Sequence, residues 1–321
     1  MRLGTLADGT PDGRLVVVSQ DGTRCLAASL PNLLGALESW AACEAELRDL
    51  AARLAAGEGA PLDAARLRAP LPRSWQWLDG SAFGTHGELM QIAFGLPPVE
   101  TDRPLMYQGM SDRFYGPTDP VPFPSEADGI DFEGEFGVIV DEVPMGVTPE
   151  QALGHIKLVV QINDWSLRAI APVEMKTGFG WVQAKPPCSM APFAVTPDAL
   201  GDAWHDGRVC MDLHVDWNGE RFGRADGGAM DFSFPELVAH AARTRELVAG
   251  TVIGSGTVSN ANYGEVGSSC ISEVRAIEII RDGRPSTPFM SYGDRIRMEG
   301  RTAEGFAPFG VIAQTVVPAA L

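Results

Sequence analysis

Gly129-Ile-Asp-Phe-Glu-Gly-Glu-Phe-Gly-Val-Ile-Val-Asp141 reads as a buried strand that carries acidic side chains where an apolar run is expected. Side chains on a strand alternate between faces, so Glu133 and Glu135 point one way while Phe132, Gly134 and Phe136 point the other. Two carboxylates side by side on an apolar strand repel each other and are costly to bury, and a bound cation relieves both penalties. Hard divalent ions prefer such oxygen ligands. The alternative is an edge strand whose acidic face lies in water.

The surroundings narrow the classes of function. A chain of 321 residues with 45% hydrophobic and 21% charged side chains is long enough for about two globular domains. Its 36 glycines and 24 prolines imply many loops. A formal net charge of −17 disfavours nucleic-acid backbones and anionic membranes as partners. Cys25, Cys43, Cys188, Cys210 and Cys270 are scattered and lack CxxC spacing, which argues against a disulfide framework or a thiolate zinc site and suits a reducing compartment. With no signal-like N-terminus and no long apolar run, the expected location is the cytoplasm.

Along the chain, Asp-Gly turn signals divide residues 1–28 into a small β meander, and residues 31–57 carry helical periodicity. The proline-bearing connector 60–72 sets the expected boundary between a small N-terminal domain, 1–72, and a larger domain, 73–321. Asp79 and His86 follow it, seven positions apart. That spacing suits one face of a helix or, through Gly80 and Gly84, a tight loop opening a helix. Thr148-Pro-Glu-Gln151 has the form of a capping box, and Ile156–Asn163 is a strand that delivers Asp164 at its end. An ordinary Asp164–Arg168 salt bridge is one reading of the next segment; a site after a buried strand is the other. Further on come a Gly-rich loop before Lys185, an Asn218-Gly219 hairpin turn and an amphipathic helix over 234–245. Gly254-Ser-Gly-Thr257 is only a weak match to a phosphate loop, because GxxxxGK[ST] is missing.

Asp79 with His86, Tyr107-Gln-Gly, Asp131-Phe-Glu-Gly-Glu135, Asn163-Asp-Trp-Ser-Leu-Arg168, Lys185 and Gly254-Ser-Gly-Thr257 occur in the order of the fumarylacetoacetate hydrolase family. From about residue 73 to the end, the chain resembles that family. The resemblance implies an α+β, β-rich fold: a mixed β-roll catalytic domain preceded by a small N-terminal α+β domain. It places divalent-metal ligands on Asp79, Glu133, Glu135 and Asp164, with Mg2+ the first choice and Ca2+ or Mn2+ as alternatives.

By the same resemblance, His86 activates water for attack on a β-diketo acid such as fumarylacetoacetate or an acylpyruvate, and the metal stabilises the enolate that leaves. Lys185 is the oxyanion or carbanion partner. Tyr107, Arg168 and Thr257 contact substrate, and Glu273 or Glu278 orients His86. A homodimer acting in aromatic-compound breakdown is implied. The alternatives are a metal-dependent decarboxylase or isomerase of 2-oxo or 2-hydroxydienoic acids and, third, a non-catalytic metal-binding protein. Alanine after Arg168, Met175 and Ser81 depart from the family's substrate-contacting side chains. These departures bear on the substrate more than on the reaction.

Overall fold

The computed structural model describes residues 1–97 and 101–320. The acidic stretch forms the interior strand Gly134–Val140, buried at every position and flanked by antiparallel partners Ile156–Asn163 and Val252–Gly254. That excludes the edge-strand alternative. The main sheet runs Ala60–Pro61, Arg24–Ala27, Arg14–Val18, Arg2–Leu6, Phe193–Val195, Ile156–Asn163, Gly134–Val140, Val252–Gly254, Trp77–Ser81, Leu105–Gly109, and Ser189–Met190 also pairs with Ile156–Asn163. The connector after residue 60 therefore begins with a short edge strand. The N-terminal meander is an extension of the main sheet, because Arg2, Leu3 and Gly4 pair with Val195, Ala194 and Phe193.

The second sheet, in order Glu220–Asp226, Asp212–Trp217, Arg295–Arg301, Ile312–Pro318 and Val121–Phe123, packs across the first. Between them lies a core of Phe132, Phe136, Leu213, Val215, Met298 and Phe309. Strand alternation supplies it, since Phe132 and Phe136 point here while Glu135 points away. The buried Gln161 amide stitches the layers together, donating to the Met298 carbonyl (3.1 Å) and accepting from Gly300 N–H (2.6 Å). On the other side of the main sheet, Leu37, Leu47 and Leu50 pack against Ile139, Leu158 and Val160. These leucines come from two helices, Leu33–Glu38 and Trp40–Ala55, which break at Ser39 within the single helical stretch expected from periodicity.

Local signals account for several boundaries. Thr148 and Gln151 form the expected capping box. Asn218 and Gly219 take positive φ (53° and 87°) between paired Trp217 and Glu220, as a two-residue hairpin requires. The helix starting at Phe234 stops at Ala241, four residues short of the expected end. The result is a sheet-rich α+β fold in which loops at one end of the central strands converge.

Candidate active site

Asp79 lies on the strand Trp77–Ser81, and a loop leads to the helix Gly84–Phe94 that carries His86. Of the two arrangements compatible with their spacing, the loop opening a helix is the one formed. Oxygens of Asp79, Glu135 and Asp164 come within 4.8 Å of one another, all three residues being buried. Neither Glu135 oxygen has a hydrogen-bond partner among the described residues. Burial, followed by the charges of its neighbours, pushes Glu135 and Asp79 well above the usual carboxylate range. Glycines permit this crowding. A Cβ on Gly254 would sit 2.4 Å from Asp79 Oδ1 and 2.9 Å from Glu135 Oε2, and Gly256, at φ 76°, donates its N–H to Asp79 Oδ1 (3.0 Å).

Glu133 departs from the expected four-carboxylate set. One of its oxygens pairs with Arg168 and the other with Lys185 Nζ (2.7 Å). Burial works against its ionisation, but Arg168 and Lys185 prevail and hold Glu133 far below its ordinary value. Lys185 also reaches Asp164 Oδ2 (2.6 Å), and despite burial these two anions hold its ammonium firmly protonated. Arg168 does not pair with Asp164; its Nε binds Asp131 Oδ2 (2.8 Å). That leaves Nη1 for other contacts. Tyr107 spends its hydroxyl on Asp164 Oδ2. Thr257 Oγ1 is buried without a partner in the wall of the same cavity.

His86 Nδ1 lies 2.8 Å from Glu273 Oε1, and the ring lines the cavity. A neutral imidazole donating from Nδ1 to that carboxylate keeps Nε2 as an acceptor. Of the two candidate acids, Glu273 is the one beside His86, and Glu278, also expected there, lies elsewhere. Glu278 lies on the same helix, Ile271–Asp282, but five positions beyond Glu273. Its carboxylate accepts from the backbone and hydroxyls of Ser286 and Thr287 instead.

Two contributors went unassigned at the sequence level. Asp131 is fully buried and accepts from Ile271 N–H (2.8 Å) and Ser272 N–H (3.0 Å), fixing the start of the helix that carries Glu273 while also holding Arg168. Its position two residues before Glu133 was the available signal, because alternation puts both on one face. Cys188 Sγ donates to Asp164 Oδ1 (2.9 Å), a contact that no spacing in the sequence announces.

Residues 1–73 match fumarylacetoacetase N-terminal domain 2, and residues 76–317 match the fumarylacetoacetate (FAA) hydrolase C-terminal domain. The chain belongs to the fumarylacetoacetate hydrolase family. Family relatives include a 2,4-didehydro-3-deoxy-L-rhamnonate hydrolase of Sphingomonas sp., 28% identical over 52% of this chain and 57% of that protein. A mitochondrial oxaloacetate tautomerase of Xenopus laevis is 25% identical over 48% of this chain and 47% of its own. The chain thus spans about half the length of these curated relatives. Maleylpyruvate hydrolase from Sphingobium sp. SYK-6, solved with manganese(II) and pyruvate, aligns over 100% of both chains at 19% identity and a TM-score of 0.67. Fumarylacetoacetate hydrolase from Exiguobacterium antarcticum aligns over 99% of this chain and 100% of its own at 20% identity and a TM-score of 0.69. At such identities the likeness shows the fold. Among the described residues, no helix is long and apolar enough to cross a membrane.

Proposed function

We propose that this protein is a divalent-cation-dependent hydrolase that cleaves a carbon–carbon bond in a β-diketo acid. The observation that carries this reading is His86, held by Glu273, lining the same cavity as Asp79, whose oxygens converge with those of the buried Glu135 and Asp164. The donor set fits a hard cation: all its ligands are carboxylate oxygens, and Glu135 is buried with both oxygens unsatisfied. Asp79, Glu135 and Asp164 would hold Mg2+, with Mn2+ or Ca2+ as alternatives, and the ion would supply Lewis acidity toward a chelating substrate.

The chain's own groups provide the rest. Glu273 fixes the His86 tautomer so that Nε2 takes a proton from water. The water oxygen adds to the distal carbonyl carbon, and the bond from that carbon to the central methylene breaks. The proton returns to the methylene fragment, giving a carboxylic acid and a 2-oxo acid. Lys185 spends two N–H groups on Glu133 and Asp164, leaving the third for developing negative charge on the substrate. Arg168 Nη1 and the Thr257 hydroxyl remain for the substrate's carboxylate and carbonyl.

Relatives named tautomerase and isomerase support a second reading, in which the same site only tautomerises, isomerises or decarboxylates a 2-oxo acid. The His86–Glu273 pair favours hydrolysis. Consumption of an acylpyruvate panel should require a divalent cation. His86→Ala should lower kcat roughly 100- to 10,000-fold while cation affinity stays near wild type. Near-normal hydrolysis by that variant would remove the water-activating role.

A further inference from the structure

The cavity beside His86 has a volume of about 300 Å3, at the lower end of the range usual for small-molecule sites. Its charge is confined to one end. Asp79, Glu133, His86, Arg168 and Lys185 are its charged or titratable lining groups, and the side chains of Ser81, Gln91, Tyr107, Ser166 and Thr257 in the wall are polar but uncharged. The two cations are already engaged there, Arg168 by Asp131 and Glu133, and Lys185 by Glu133 and Asp164.

The opposite end is apolar, and the backbone dictates that separation. Met90 and Phe94 follow His86 at one- and two-turn spacing on the helix Gly84–Phe94, so they continue its face for roughly 6 and 12 Å along the axis. Leu105 and Met106 precede Tyr107 on a strand whose register pairs Tyr107 with Asp79 and Leu105 with Ser81. Leu105 therefore lies about 7 Å along the sheet from the carboxylate level. Met175 and Trp181 add apolar surface to the same cavity wall, with Trp181 set edge-on against the Tyr107 ring at 6.1 Å between centroids.

We infer that the substrate is a monocarboxylic 2,4-dioxo acid whose tail beyond the reacting carbonyl is an uncharged alkyl or aryl group seated on Met90, Phe94, Leu105, Met106, Met175 and Trp181. This rests on the reading of the polar end as the dioxo-acid end. A second carboxylate on the tail would be stripped of water beside thioethers and aromatic edges, with no cation among the described residues of that wall to receive it. The flexible methionines adapt to differing tail shapes, so the site selects apolar character over one fixed outline.

The test is a matched pair of non-cleavable ligands, 2-oxooctanoate and 2-oxooctanedioate, which differ at the far end of an equally long chain. Calorimetric titration of the Mg2+-loaded full chain should show the monoacid binding at least about tenfold more tightly. Shortening to 2-oxopentanoate should cost roughly threefold to fourfold per methylene. Leu105, half exposed at the rim, tolerates substitution, and Leu105→Arg should narrow the gap between monoacid and diacid by supplying a cation. A diacid that binds as tightly as the monoacid, a gap unmoved by Leu105→Arg, or failure of both acids to bind overturns the assignment. Acylpyruvate cleavage is scored separately. Preferential monoacid binding without cleavage of any dioxo acid would remove the hydrolase reading and leave the tail assignment standing.

Discussion

Replacing Glu135 with glutamine should make the cation-free protein more stable and its cation response weaker. In the cation-free protein, Asp79, Glu135 and Asp164 crowd their oxygens within 4.8 Å in a buried pocket, and Glu135 has no hydrogen-bond partner to offset its lost hydration. Removing one such charge while keeping the side chain's shape should stabilise by about 1–3 kcal/mol. For a chain of this size that is roughly 1–5 °C in Tm. Wild-type protein at 100 times the dissociation constant of Mg2+ should gain about 2.7 kcal/mol. The variant, with one anionic ligand lost, should gain little. The pH dependence has a definite sign. Because burial raises the Asp79 and Glu135 carboxyls above their unfolded values, the folded state binds more protons than the unfolded chain from the ordinary carboxylate range near 4 upward. Stability of the cation-free wild type therefore falls as pH rises through that window, and Glu135→Gln should flatten the slope. Differential scanning calorimetry between pH 5 and 8, with chelator and with Mg2+, measures all three effects. A variant that melts below wild type in chelator yet keeps the full Mg2+ increment would show that Glu135 is neither a buried electrostatic burden nor a cation ligand.

Glu273→Gln should lower kcat by roughly ten- to a thousandfold at nearly unchanged Tm, because it weakens the contact that sets the His86 tautomer. Glu278→Ala should do the reverse in steady-state kinetics and melting: near-wild-type kcat per folded molecule, with a loss of about 1–3 kcal/mol from four stranded donors. Against the upward push of burial, those donors hold Glu278 down to about 2. Its stabilisation is therefore complete above the unfolded value near 4.5 and disappears as pH falls toward 2. Asp131→Asn should cost about 3–5 kcal/mol in denaturant unfolding, since it removes one of the two anions that hold the buried Arg168 guanidinium and loosens the start of the helix bearing Glu273.

Local physics made part of this architecture legible in the sequence. The acidic strand could be read because Glu133 and Glu135 interrupt a run whose alternation buries Phe132 and Phe136, and the capping box and Asn-Gly turn each act within four residues. The joining of the N-terminal meander to the main sheet was not legible, because Arg2 meets Val195 across a separation no local pattern encodes. The same holds at the site. Strand alternation placed Glu133 beside Glu135, but that both Glu133 oxygens are taken by cations depended on Arg168 and Lys185 arriving from distant segments. Glu273 and Glu278 were equivalent as acids on one stretch; only the approach of His86 to one and of Ser286 and Thr287 to the other separates them.

Carbon–carbon hydrolysis is tested most directly by mass spectrometry of the products from an alkyl acylpyruvate incubated with Mg2+-loaded protein in 18O-enriched water. Hydrolysis gives two fragments, pyruvate and the alkyl carboxylic acid, with water-derived oxygen in the new carboxyl group and with formation abolished by chelator. Recovery of an intact carbon skeleton in a rearranged tautomer, or release of carbon dioxide, would contradict it.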